Sequence, residues 1–162
     1  MEQKPTTKSI PRNGKATTIK KAFSRETFVS IDIQANAGIV WALITNAADY
    51  PRWNSTVTSL KGEIKQGETI ELKSILDEKR TFKLKVKEFD PESRLVWGDN
   101  MGNRVYTIDK VGADHVRFTM TEKIGGPFFP LFARYIPPFD ETFEQFAADL
   151  KKEAEAIHQS KN

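Results

Sequence analysis

The chain has no cysteine, which excludes disulfides, thiolate metal sites and a cysteine nucleophile, and it fits a reducing compartment. It has no apolar run near the ~20 residues that a spanning helix needs. Its first fifteen residues, MEQKPTTKSIPRNGK, hold no apolar core of signal-peptide length. These absences lead us to expect a cytoplasmic protein without stable membrane insertion. There are only two histidines, His115 and His158, and no HExxH-like spacing, so no metal site is expected and both read as surface residues. No phosphate loop, nucleophile elbow or calcium loop occurs, and Gly125-Gly126 lacks the rest of a dinucleotide fingerprint, so no cofactor is expected.

Charge is also scarce where a nucleic-acid binder would need it. The net charge is +3, but residues 1–21 hold six basic side chains against Glu2 alone, leaving the rest of the chain at −2. A nucleic-acid partner would require a basic face on the folded body, so none is expected. Residues 1–22 lack hydrophobic periodicity and read as a flexible basic leader, or as loose packing at a sheet edge. Residues 23–162 read as a single domain, and 162 residues suffice for one substantial core. We expect a monomer or weak homodimer.

What is abundant is phenylalanine, with 11 residues, mostly in the second half. Rings of that size can line a hollow as well as fill it. A first strand is expected over Arg25–Gln34, with Val29, Ile31 and Ile33 in one phase. Asn36 is placed to cap a helix from Ala37 to about Asn46. Six strand-like runs follow: Thr56–Ile64, Glu68–Leu76, Arg80–Phe89, Arg94–Asp99, Arg104–Val111 and His115–Ile124. Short turns separate them, including the charged Asp77-Glu78-Lys79, and such connections predict an antiparallel meander. Phe82, Leu84 and Val86 alternate with Thr81, Lys83, Lys85 and Lys87, as Val116, Phe118, Met120 and Ile124 do with Arg117, Thr119, Thr121 and Lys123. One face is therefore wet and the other covered.

The cover is a C-terminal helix. Pro138 suits its first turn, and Phe139, Phe143, Phe146, Ala147, Leu150, Ala154 and Ile157 recur at three- and four-residue steps. The fold expected is α+β: a curved antiparallel sheet of about six or seven strands around a long C-terminal helix, with short helices after the first strand.

Within that order, the stretch Val40–Asn54, VWALITNAADYPRWN, is a short helix followed by an aromatic turn with Tyr50 and Trp53. A helix, then YPRWN, then a meander and a long C-terminal helix resembles the START-like helix-grip superfamily, whose broad bacterial branch is the SRPBCC or polyketide cyclase/dehydrase-like group. The resemblance covers roughly Arg25 to Ile157. It implies an apolar cavity between sheet and helix. It leaves function open, because the same fold serves cyclases, lipid carriers and co-chaperone-like modules.

Glu122 shares the phase of Phe118 and Met120, so it should face the covered side, where a carboxylate needs a partner. It is either a general base or a residue at the mouth paired with a cation such as Arg80 or Arg134. Arg80 and Tyr106 are the other candidates for polar chemistry. Trp53, Phe82, Trp97, Tyr106, Phe118 and Met120 are candidate lining residues, joined by Phe139, Phe143 and Phe146 of the helix. Phe128, Phe129 and Phe132 belong to GGPFFPLFARYIPPF, read as a lid hinged on its glycines. Trp41 and Tyr50 read as structural packing.

Three functions follow. The first is binding of a hydrophobic small molecule such as a lipid, quinone or polyketide, with Glu122 and Tyr106 orienting a polar group. The second is a cofactor-independent cyclase, aromatase or dehydratase, with Glu122 as acid or base and Tyr106 or Arg80 stabilising an enolate oxygen. The third is a protein-binding module, whose marker would be an exposed apolar patch.

Overall fold

Alternation along the strands and a helical stripe at the C-terminus build one sheet gripping one helix. The structure is a computed structural model that describes residues 13–161. The strands are β1 (Ala16–Lys20), β2 (Ser24–Ile33), β3 (Val57–Lys61) and β4 (Thr69–Ser74), followed by β5 (Asp77–Asp90), β6 (Arg94–Gly98), β7 (Gly102–Gly112) and β8 (His115–Gly125). They form one eight-stranded antiparallel sheet in the order β1-β2-β8-β7-β6-β5-β4-β3. Between β2 and β3 lie α1 (Ala37–Thr45), a 3-10 turn (Ala47–Asp49) and α2 (Tyr50–Trp53). After β8 come α3 (Phe129–Phe132), a second 3-10 turn (Ala133–Tyr135) and the long α4 (Asp140–Ser160).

Eight strands exceed the six or seven expected because the stretch before Phe23 contributes one. β1 pairs with β2 from Ala16↔Val29 to Lys20↔Arg25. The expectation of a flexible leader over residues 1–22 therefore does not hold for Ala16–Lys20. Residues 1–12 of that leader lie outside the described residues. The strand's apolar content is too low to announce it. It is held by the β2 ladder and by α4: Ala16 N donates to Glu144 Oε1 at 3.0 Å, and the Thr18 hydroxyl donates to Asp140.

Asn36 caps α1 as expected, its Oδ1 accepting from Ile39 N at 2.9 Å. The turn expected at Asp77-Glu78-Lys79 falls instead on Ile75-Leu76, since Ser74 already pairs with Asp77. Pro138 precedes α4 rather than entering its first turn. Register shifts in the β3–β4, β4–β5 and β5–β6 ladders are the irregularities that bend a sheet. α4 lies on β1, β2 and β8 and against α1 and α2. Its Phe143, Phe146, Ala147, Leu150 and Ala154 are buried against the sheet. Among the described residues, no helix is long and apolar enough to cross a membrane.

Candidate functional site

The side chains in the grip of sheet and helix are mostly aromatic, and they touch one another. Tyr106 on β7 packs against Trp97 on β6 at 4.9 Å between ring centroids, and against Phe118 on β8 at 6.0 Å. Phe146 on α4 reaches Tyr106 at 5.8 Å and Trp53 at 5.9 Å. Tyr50 closes the group, 5.0 Å from Trp53, and its hydroxyl donates to Ile44 O at 2.7 Å. That bond gives Tyr50 the structural part expected of it. Trp41 packs edge-on against Phe89 at 5.1 Å.

Beside these rings lies a polar cluster. Arg104 and Glu122 face each other across β7 and β8, with Arg104 Nη2 at 2.9 Å from Glu122 Oε2. The Arg104 guanidinium also sits over the Phe143 ring at 5.2 Å. Burial works against its charge, but Glu122 and Tyr106 together more than offset this, and the guanidinium is held above its ordinary range. The Tyr106 phenol is pushed up to about 12 by burial, with the adjoining Arg104 charge acting the other way.

Four buried donors here have no well-formed hydrogen bond to an acceptor among the described residues: Trp53 Nε1, Trp97 Nε1, Arg104 Nε and the Tyr106 hydroxyl. Left without any partner such a group costs about 1–3 kcal/mol, so each of these calls for an acceptor from water or from a ligand. A cleft between the β3–β4 edge and α4 leads to Arg104, walled by Val57, Leu72, Met120, Phe143 and Phe146. Its interior of about 10 Å³ admits roughly one water. The rings therefore fill most of the grip in this conformation. Neither histidine lines the cleft. Among the described residues, no three His, Asp or Glu side chains gather as a metal site would require.

The sequence-predicted residues divide accordingly. Trp53, Trp97, Tyr106, Phe118, Met120, Phe143 and Phe146 come together with Glu122. Phe139 stacks on Phe143 at 5.9 Å and packs at the margin. Phe82 is half-buried on β5. Arg80 does not join the cluster: it is exposed on β5, stacked over Phe82 at 4.5 Å. Arg134 pairs with Tyr135 rather than Glu122. Of the lid residues, Phe129 is buried, while Phe128 and Phe132 face solvent.

The cation that meets Glu122, Arg104, was missed by sequence reasoning. Its signal was its phase, shared with Tyr106 and Ile108. Arg25 was missed too. It is buried in phase with Val29 and donates to Ile136 O at 3.1 Å and Pro137 O at 2.8 Å, pinning the end of the β8–α4 connection. Burial lowers its pKa, against the pull of Glu122 and Asp140.

Comparison with known proteins agrees with this architecture. A family profile described as "Polyketide cyclase / dehydrase and lipid transport" matches residues 25–155. No curated protein matches the chain. Among solved structures, the Zhui aromatase/cyclase from Streptomyces sp. R1128 superposes with a TM-score of 0.64 at 13% identity, over 82% of this chain and 94% of that one. A START superfamily protein from Mycobacterium smegmatis gives 0.60 at 15% identity, over 82% and 98%. A point mutant of norcoclaurine synthase from Thalictrum flavum, in complex with a transition-state analogue, gives 0.62 at 14% identity, over 88% and 98%. At these identities the likeness is one of fold.

Proposed function

The chain belongs to the polyketide cyclase / dehydrase and lipid transport family, and from that premise we propose that it binds a hydrophobic small molecule between its sheet and α4. The observation that carries this reading is the set of buried donors among the rings that lack a well-formed hydrogen bond to the described residues: Trp53 Nε1, Trp97 Nε1, Arg104 Nε and the Tyr106 hydroxyl. An apolar ligand bearing one or two oxygens would accept from these donors, while its body packs on Phe118, Phe143 and Phe146. The tight interior means that entry requires ring displacement, with the cleft at Arg104 as the route. A cytoplasmic setting and a monomeric or weakly dimeric state belong to the same proposal, the first supported by the absence of cysteine.

A second reading, a cofactor-independent cyclase or dehydratase, is favoured by one feature. Tyr106 keeps its proton at neutral pH beside a fixed cation, an arrangement that can stabilise a developing enolate oxygen. Glu122→Gln separates the two: it should abolish turnover if Glu122 is an acid or base, and retain ligand in the carrier.

The test is native mass spectrometry of the purified protein, followed by denaturing extraction. The expected result is a discrete oxygen-bearing apolar mass on the wild type, with occupancy reduced in Arg104→Met. A bare chain that also takes up no fatty acid, quinone or aromatic polyketide from solution would overturn the reading.

A further inference from the structure

The β8–α4 connection exposes large apolar side chains to an unusual degree. Within eight residues, Phe128 is 66% exposed, Leu131 67% and Tyr135 69%, and Phe132 is also exposed. They are not the loose end of a floppy loop. Phe129 is buried beneath them, Pro127 and Pro130 restrict the backbone, and Arg25 holds the far end at Ile136 and Pro137.

The near end is fixed by two glycines. A Cβ on Gly125 would lie 2.8 Å from Phe23 O, and Gly126 has φ 138°. Gly126 N donates to Phe23 O at 3.1 Å, and Gly125 N donates to Met101 O at 2.9 Å. Phe23 and Met101 are themselves exposed large apolar residues. Three chain segments thus bring six such side chains to one end of the sheet, where Phe23 and Met101 also line an open groove of about 410 Å³.

Basic side chains gather around the exposed rings, with Glu26 opposite Lys123 in the β2–β8 ladder. Lys20 and Lys21 are exposed just before Phe23, Lys123 lines the groove, and Arg134 stands among the rings. From Gly125 to Phe139 there is no acidic residue. Asp99 also faces this end, its Oδ1 accepting from Met101 N and Gly102 N inside its own turn. Asp140 accepts from Thr18, and Glu141 follows at the start of α4.

We propose that this end of the molecule docks on an anionic phospholipid bilayer. The exposed rings and Leu131 enter the headgroup region, where aromatic side chains are favoured, and the lysines meet lipid phosphate. The exposure and the charge carry this independently of what the grip binds.

The experiment is co-sedimentation of the full chain with vesicles of phosphatidylcholine alone and of an equal mixture with phosphatidylglycerol. The wild type is expected to sediment with the mixed vesicles and to release them as salt is raised. Phe128→Ser with Leu131→Ser should weaken binding about tenfold or more at an unchanged melting temperature, because both side chains are already in water. Lys20→Glu with Lys21→Glu should weaken it about 25-fold or more, at roughly fivefold per lost charge. Sedimentation of the Phe128/Leu131 variant equal to the wild type would overturn the proposal, since attachment would then arise elsewhere, such as in the basic residues before Asn13. Two other results would do the same: no sedimentation of the wild type, or a wild-type dimer in analytical ultracentrifugation that the same variant dissolves.

Discussion

Arg104 and Glu122, 18 residues apart in sequence, are register partners on β7 and β8, and their side chains meet at 2.9 Å on the gripped face of the sheet. Side-chain exposures of 15% and 20% make this a largely desolvated pair, in which each charge depends on the other. Glu122→Gln leaves the guanidinium without its counter-charge and should lower unfolding stability by about 2 kcal/mol, short of the ~3–5 typical of a fully buried pair. Arg104→Met combined with Glu122→Met removes both charges and should recover most of that loss. Urea denaturation of the three proteins checks this, and a double variant weaker than Glu122→Gln would contradict it.

Tyr106 makes the opposite prediction for stability. Its buried hydroxyl adjoins Arg104 but makes no well-formed hydrogen bond among the described residues, so Tyr106→Phe removes a desolvation cost and should leave stability within ~1 kcal/mol of the wild type. The same variant should bind the proposed ligand more weakly. A clear fall in the denaturation midpoint would show that the hydroxyl is satisfied in the folded protein.

The same phenol makes the fold sensitive to alkali. Its pKa rises from 10.0 to about 12 on folding because burial disfavours the phenolate. The folded chain therefore keeps a proton that the unfolded chain releases. The associated stability is complete below pH 10 and drains away as pH rises from 10 towards 12, by roughly 3 kcal/mol in all. Tyr50, also raised by burial, adds to the loss in the same direction. Melting temperature followed across this range should fall steeply in the wild type and less steeply in Tyr106→Phe. Equal slopes would mean that the phenol is solvated in the native state.

Phe146 touches four rings of the cluster: Tyr50, Trp53, Tyr106 and Phe118. Phe146→Ala should cost ~3–5 kcal/mol, whereas Phe132→Ala, at an exposed position, should stay within ~0.5 kcal/mol. The contrast is measured by denaturation. If Phe146→Ala lowers stability and leaves ligand affinity untouched, the ring is core and not wall.

Removal of residues 1–21 deletes β1, exposes the edge of β2 and strands Glu144 and Asp140 without their partners. A chain beginning at Ala22 should melt several degrees below one beginning at Asn13, for a loss of about 2 kcal/mol. Equal melting temperatures would mean that β1 adds nothing to the fold.

Much of this architecture was legible in the chain. The alternation of Phe82, Leu84 and Val86, and of Val116, Phe118 and Met120, set the inner face of β5 and β8. The three- and four-residue steps from Phe143 to Ala154 set the buried face of α4. Asn36 marked the start of α1. β1 was not legible: Ala16–Lys20 carries little apolar pattern, and its place depends on a ladder with β2 and on two carboxylates of α4.

By itself, the sequence determined which side of each strong strand and of the long helix turns away from water. Side-chain direction alternates every residue in a strand and recurs every 3.6 residues in a helix, and apolar surface leaves water wherever that period repeats. Only the tertiary structure decided the rest. Arg104, and not Arg80, meets Glu122 because the β7–β8 register sets them opposite each other, while Arg80 lies out along β5. The aromatic residues fill the grip because Tyr50, Trp97, Tyr106 and Phe146, far apart in the chain, close on one another. Phe128 and Leu131 stand in solvent because the connection that carries them is tied down at Gly125 and Arg25, and no second layer covers it among the described residues. Each of these outcomes depends on contacts between distant segments, which local periodicity does not encode.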